Sequence, residues 1–172
     1  MFKTILRAAA ASTVVPVSQC SKNVSKVMSN QEEMPAIIPG KYQHYKNEKL
    51  DEYFAAVGIP YVGRKMMSMS SPLMEITFDG DKVSMKTVSL LRTVESTFKL
   101  NEEYDEKMPF TTIKSKASII GDNEMIIDST IPETGDKCSR HYVFTEEECI
   151  VTMTHDKASV PGKRYFKRVK ST

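Results

Sequence analysis

The chain has 172 residues, of which 40% are hydrophobic and 27% charged, the balance of an ordinary folded protein of one domain and a spare segment. Its 24 basic and 22 acidic side chains leave a formal charge of only +2, which argues against a dedicated nucleic-acid binder. No apolar run reaches the roughly 18 residues of a transmembrane helix, so none is expected.

The charge is unevenly placed. Residues 1–31 hold Lys3, Arg7, Lys22 and Lys26 and no acid, which leaves 20 basic and 22 acidic groups for the rest. Phe2, Ile5, Leu6 and Ala9 share one helical face, with Lys3 and Arg7 on the other. A basic, Ser-rich, acid-free start has the composition of a mitochondrial transit peptide. Ala8 to Val17 is a rival secretory segment, interrupted by Ser12, Thr13 and Pro16, and a dispensable tail is the third reading. A start at Met28 or Met34 would bypass the segment and yield a leaderless cytosolic form. The expected division is therefore a leader or extension over 1–37 and a folded domain over 38–172, cytoplasmic, or mitochondrial through residues 1–31.

From Gly40 the pattern changes. Lys41 to Glu48 is a short strand. Leu50, Tyr53, Phe54 and Val57 recur at i, i+3, i+4, i+7, the mark of an amphipathic helix. Gly58 and Pro60 stop it. Tyr61 to Met69 reads as a second short helix, ended near Ser71–Pro72. After Pro72, runs of five to nine residues alternate between turn clusters such as Asp79-Gly80-Asp81, Gly121-Asp122-Asn123 and Glu133 to Asp136. Met125, Ile127, Ser129 and Ile131 alternate with Ile126, Asp128 and Thr130, and Cys149, Val151 and Met153 with Ile150, Thr152 and Thr154. The expectation is an all-β chain: an antiparallel up-and-down meander of about ten strands. So many strands must close or bury their edges, and a barrel wider than about eight strands encloses a cavity. Such a cavity is most simply a container for a small ligand.

Eight of the methionines lie between Met66 and Met153, and as a group they suit a long apolar ligand. Arg140 is in phase with Cys138, Tyr142 and Phe144, and Arg164 with Phe166. If those faces point inward, each desolvated guanidinium needs an anion or another hydrogen-bonding partner, and its planar fork matches a carboxylate. Phase alone leaves the opposite facing open, with His141 and Val143, or Lys163 and Tyr165, turned in.

Other chemistries find little support. Cys20, Cys138 and Cys149 are an odd set without CxxC spacing. Pairing about Glu146–Glu147 would put Cys138 beside His155 and Cys149 beside Phe144, so neither a disulfide nor a thiolate metal site is expected, and a reducing compartment is. The three histidines, His44, His141 and His155, have no metal-binding spacing, and no GxSxG or glycine-rich phosphate loop occurs. Neither catalysis nor a cofactor is expected.

Several segments together resemble the intracellular fatty-acid-binding protein family, which includes retinoid carriers. Gly40-Lys41-Tyr42 is similar to the family's opening G-x-W, and Leu50 to Gly58 with Arg64-Lys65 to its first helix, turn and second helix. Thr93 to Leu100, with Glu102 to Glu106 after it, resembles its fourth strand. Thr152-Met153-Thr154 and Arg164 to Val169 resemble its last two strands. The order and spacing over residues 38–170 carry the resemblance, with the N-terminal extension atypical.

The resemblance implies a ten-stranded clam-like barrel with a helix-turn-helix lid between the first two strands. It implies a long-chain fatty acid or retinoid held inside, its carboxylate on an Arg-x-Tyr motif and an earlier Arg. Those positions are Arg164, Phe166 and Arg140, with Phe166 in place of the motif's Tyr; a one-residue shift would bring in Tyr165 instead. The cavity and portal would be lined by Leu50, Phe54, Val57, Pro72, Met74, Ser89, Leu91, Val151 and Met153, and the rim near Phe110 would be apolar. Lys49 and Lys65 on the helix pair could steer a monomeric carrier to anionic membranes. A secreted lipocalin is the rival barrel, but it would carry a clear secretory leader and paired cysteines, without a helix pair after the first strand.

Overall fold

The computed structural model describes residues 35–90, 92–108 and 111–170. Residues 1–34 of the expected leader, the lining residue Leu91 and the rim residue Phe110 lie outside these residues. Strand β1 is Gly40–Glu48, followed by helices α1, Leu50–Ala56, and α2, Tyr61–Met69. Nine strands then follow: β2 Leu73–Asp79, β3 Lys82–Val88, β4 Thr93–Lys99, β5 Glu103–Lys107, β6 Thr112–Ile120, β7 Glu124–Thr130, β8 Lys137–Phe144, β9 Glu148–His155 and β10 Gly162–Arg168. The expected helix pair and ten antiparallel strands are present.

The strands form one sheet in the order β4-β3-β2-β1-β10-β9-β8-β7-β6-β5. Pairing of β1 with β10 joins the first and last strands, and the sheet curls into a nearly closed barrel. Its outermost strands, β4 and β5, are not joined by a hydrogen-bonded ladder. Side chains bridge them instead: the rings of Phe98 and Tyr104 stack 4.5 Å apart and 6° from parallel. The β8–β9 hairpin has the expected register, with Cys138 opposite His155 and Cys149 opposite Phe144, and both cysteines are free.

Period-2 alternation sends one set of side chains inward. At the end away from the helices the inward set is apolar and fully packed: Tyr42, Ile76, Val83, Ala117, Met125 and Phe144 are all buried. Ile38 plugs this end, and its carbonyl accepts a hydrogen bond from the Tyr42 hydroxyl at 2.8 Å. Arg168 lies over the Tyr42 ring, 4.7 Å from its centroid, and donates to the Pro39 carbonyl at 2.9 Å. The opposite end, beneath the helix pair, is polar and less filled. Arg140 points into it and keeps 24% of its side chain exposed.

The methionines divide accordingly. Met74 and Met125 are buried, whereas Met66, Met69 and Met108 are exposed on the helix pair and a neighbouring loop.

Gly40 is required on two counts. Its φ of +154° is one that L side chains rarely adopt, and an added Cβ would lie 2.5 Å from Arg168 Nη1. Gly40→Ala should therefore lower stability by about 1–3 kcal/mol, read as a fall in the thermal midpoint. An unchanged midpoint would show that the Tyr42–Arg168 plug yields freely.

Candidate functional site

The polar group under the helices is assembled from four strands. Hydrogen-bonded register places Asn47 opposite Arg164, Arg164 opposite Val151, and Val151 opposite Tyr142. One inward row thus crosses β1, β10, β9 and β8. Arg140 stands one step along β8, opposite Met153.

The facing left open by phase is decided here. Phe166 is 4% exposed and meets the edge of the His44 ring at 5.4 Å. Tyr165 points outward: its hydroxyl donates to Glu48 Oε2 at 2.8 Å, and Lys46 Nζ lies 4.8 Å from its ring centroid. Arg164 and Phe166 are therefore the inward pair.

Arg164 has no carboxylate partner among the described residues. Its Nε donates to Asn47 Oδ1 at 3.3 Å, its Nη2 to the Ser70 carbonyl at 3.1 Å, and its guanidinium lies 5.7 Å from the Phe166 ring centroid. Burial without an anion pulls its pKa below the ordinary arginine value. Asn47 is itself fixed, because its Nδ2 donates to the Ser68 carbonyl of α2 at 2.9 Å. These contacts tie the end of the lid helix to the β1–β10 seam.

Arg140 differs. Its fork is occupied by Glu106: Nη1 donates to Oε1 at 2.8 Å and Nη2 to Oε2. Ser115 donates to Glu106 Oε2 at 2.9 Å and shares a 2.7 Å bond with Ser129. Burial raises the Glu106 pKa, but the bonds and charge of Arg140 and the Ser115 bond outweigh it, and the net shift is downward. Arg140 thus meets a protein carboxylate rather than standing open. The Tyr142 phenol lies in the Arg164 row, 5% exposed, with its ring stacked on Phe144 at 6.2 Å.

The expected lining residues divide. Leu50, Pro72, Met74 and Val151 are buried, and Phe54, Val57 and Met153 are half-buried. Ser89 instead closes the β3–β4 turn, its hydroxyl donating to the Arg92 carbonyl at 2.9 Å. Four polar residues of the site, His44, Asn47, Glu106 and Tyr142, were not among those the sequence singled out. Tyr142 had a signal, since it is in phase with Arg140. His44 and Glu106 are likewise in phase with Tyr42 and Tyr104, whereas Asn47 breaks the alternation and had no local signal. A polar groove across β5–β9, lined by Lys114, Lys116, Asp128, Lys137 and Asp156 among others, lies apart from Arg164. Its charges of both signs select no particular ligand, so the Arg164 end is the better candidate.

No family model matches the chain. A curated fatty acid-binding protein from Tyrophagus putrescentiae is 30% identical over 133 residues, which cover 76% of this chain and 97% of the relative. Sodium/calcium exchanger regulatory protein 1 of Doryteuthis pealeii is 38% identical over 96 residues, 55% of this chain and 72% of the relative. Among solved structures, the fatty acid-binding protein from brain tissue of Drosophila melanogaster superposes with a TM-score of 0.68 at 30% identity, covering 77% of this chain and 99% of that one.

Proposed function

Because the chain belongs to the fatty-acid-binding protein family, we propose that it binds a long-chain fatty acid non-covalently inside the barrel and carries it through the cytoplasm. The carboxylate rests on Arg164. The observation that carries this reading is a half-buried, inward-facing guanidinium with no carboxylate partner among the described residues, placed beneath the helix pair. Arg140 is the second residue of the site. With Glu106 on its fork, it reaches the ligand through water or by sharing that carboxylate. Phe166 supplies apolar contact where a tyrosine would have given a hydroxyl, and Tyr142 keeps a phenol in the same row. The role is that of a monomeric carrier and needs no bond-making chemistry.

The rim suits transient membrane contact. Tyr61, Val62, Met66 and Met69 of α2 and Leu90 of the β3–β4 turn are exposed apolar groups, and Lys49 and Lys65 beside them are exposed cations. Among the described residues no helix is long and apolar enough to cross a membrane.

The chain has no Trp, so binding needs an extrinsic reporter. Displacement of a fluorescent fatty-acid probe by oleate, at one ligand per chain, is the expected result. A protein that takes up neither probe nor oleate would overturn the proposal. Mass spectrometry of lipid extracted from the native protein distinguishes a fatty acid from a retinoid.

A further inference from the structure

His44 is an uncommon side chain for the inside of a barrel. It is 7% exposed, and its Nε2 lies 2.7 Å from Asn47 Oδ1, the same oxygen that accepts from Arg164 Nε. Because Asn47 Nδ2 is committed to the Ser68 carbonyl, Oδ1 must be the acceptor in both contacts, which puts the ring proton of neutral His44 on Nε2. Nδ1 is then a buried lone pair with no hydrogen-bond partner among the described residues. An imidazole in this state is one proton short of its charged form.

The surroundings disfavour that proton. Burial disfavours the charged ring, Asn47 favours it, and the Arg164 charge opposes it; the net shift is downward from the ordinary histidine value. Arg164, on β10, is the charged group that faces the ring. Its other β10 neighbour is the Phe166 ring. On β1 the Lys46 ammonium lies over the outward Tyr165 ring instead. On the β2 side His44 N donates to the Pro72 carbonyl, and Ser71 Oγ donates to the His44 carbonyl. No acid faces the ring from any of these elements.

We propose that His44 is a proton-dependent second charge of the head-group site: when an anionic head group settles on Arg164, His44 takes a proton from solvent onto Nδ1 and helps to hold the anion from the β1 side. This rests on the reading of Arg164 as the head-group anchor. The sign follows from linkage. The anion cancels the repulsion from Arg164 and raises the affinity of His44 for its proton. Binding therefore takes up a proton, and affinity rises as pH falls through the interval between the two states of the ring. A neutral head group, leaving Arg164 uncancelled, gives no such rise. The site would thus bind anionic lipids several-fold more tightly in mildly acidic surroundings than near neutrality.

The test uses dodecanesulfonate, whose charge does not titrate, with dodecanol as the neutral control. For the full chain, sulfonate affinity should rise about three- to tenfold from about pH 7.5 to 5.5. Calorimetry in buffers of different ionisation enthalpy should show proton uptake. Both effects should vanish in His44→Gln, and dodecanol affinity should stay level with pH. Nuclear magnetic resonance titration of the unmodified protein requires no variant: sulfonate should shift the His44 ring titration upward, with the outward-facing His141 as internal control. A level sulfonate profile, a His44→Gln profile as steep as the parent's, or an unmoved His44 titration would each overturn the inference. The anchor is judged separately. Arg164→Gln should weaken sulfonate binding at every pH, and if it does not, the reading of Arg164 fails and this inference with it.

Discussion

Glu106→Ala should destabilise the barrel by about 3–5 kcal/mol, the largest stability loss expected of any polar substitution in this chain. The reason is the charge left behind. Arg140 keeps its guanidinium inside the sheet, with 24% of its side chain exposed, and loses both oxygens that bond it. Ser115 loses its acceptor in the same step and keeps only Ser129. Removing both charges, as in Glu106→Leu with Arg140→Met, should recover most of the loss, because apolar groups of similar size need no desolvated partner. Urea unfolding of the two single variants and the double variant measures this. A double variant as unstable as Glu106→Ala would show that the pair contributes more than mutual neutralisation. The pair also sets an acid limit. The folded pKa of Glu106 lies below its unfolded value, so its contribution is complete above the unfolded pKa and is lost as pH falls through the folded one. Stability should therefore decline below about pH 4.5, and Glu106→Gln should flatten that decline while lowering stability at neutral pH.

Arg164→Gln should weaken binding of a long-chain carboxylate by about 1.5–3 kcal/mol, or roughly ten- to hundredfold in Kd. The loss is larger than for an exposed cation because Arg164 is half-buried and no carboxylate among the described residues competes for its charge. Arg140→Gln gives the contrast. It should cost stability, since Glu106 is then the unpaired charge, but change Kd less than Arg164→Gln does. Probe displacement and thermal unfolding, run on both variants, separate the two roles. If Arg140→Gln costs more affinity than Arg164→Gln, the order of the two arginines is reversed. Both variants also bear on the lid, because Arg164 holds the Ser70 carbonyl at the end of α2. Arg164→Lys keeps the charge but not the fork. Recovery of affinity in that variant without recovery of lid order would show the charge and the tether to be separate functions.

Elements with local punctuation were legible in the sequence. Gly58 and Pro60 end the first helix, Asp79 to Asp81 turns β2 into β3, and Glu146 to Glu148 sets the β8–β9 register, because each is governed by backbone conformations that neighbouring residues impose. The helix pair, the strand number and the antiparallel order followed from those signals and the period of the apolar residues. Two turns, Ser89 to Arg92 and Met108 to Thr111, lack the clustered turn residues that mark the others and were not legible in this way.

The partners of the charged groups were another matter. Glu106 sits in a strand where it shares a face with Tyr104, but nothing local says which charge it meets. Its partner lies 34 residues further along, a contact that only strand pairing can make. The β1 site is decided more subtly. Simple alternation from Tyr42 and His44 would send Lys46 inward. A shift of register between His44 and Lys46 turns Lys46 outward over Tyr165 and brings Asn47 in to meet Arg164. Local sequence therefore governed where the chain turns and which residue types alternate, because those depend on short-range sterics and hydrophobic period. Which charge meets which depended on the pairing of strands distant in sequence and on one bulge, whose energy belongs to the assembled sheet.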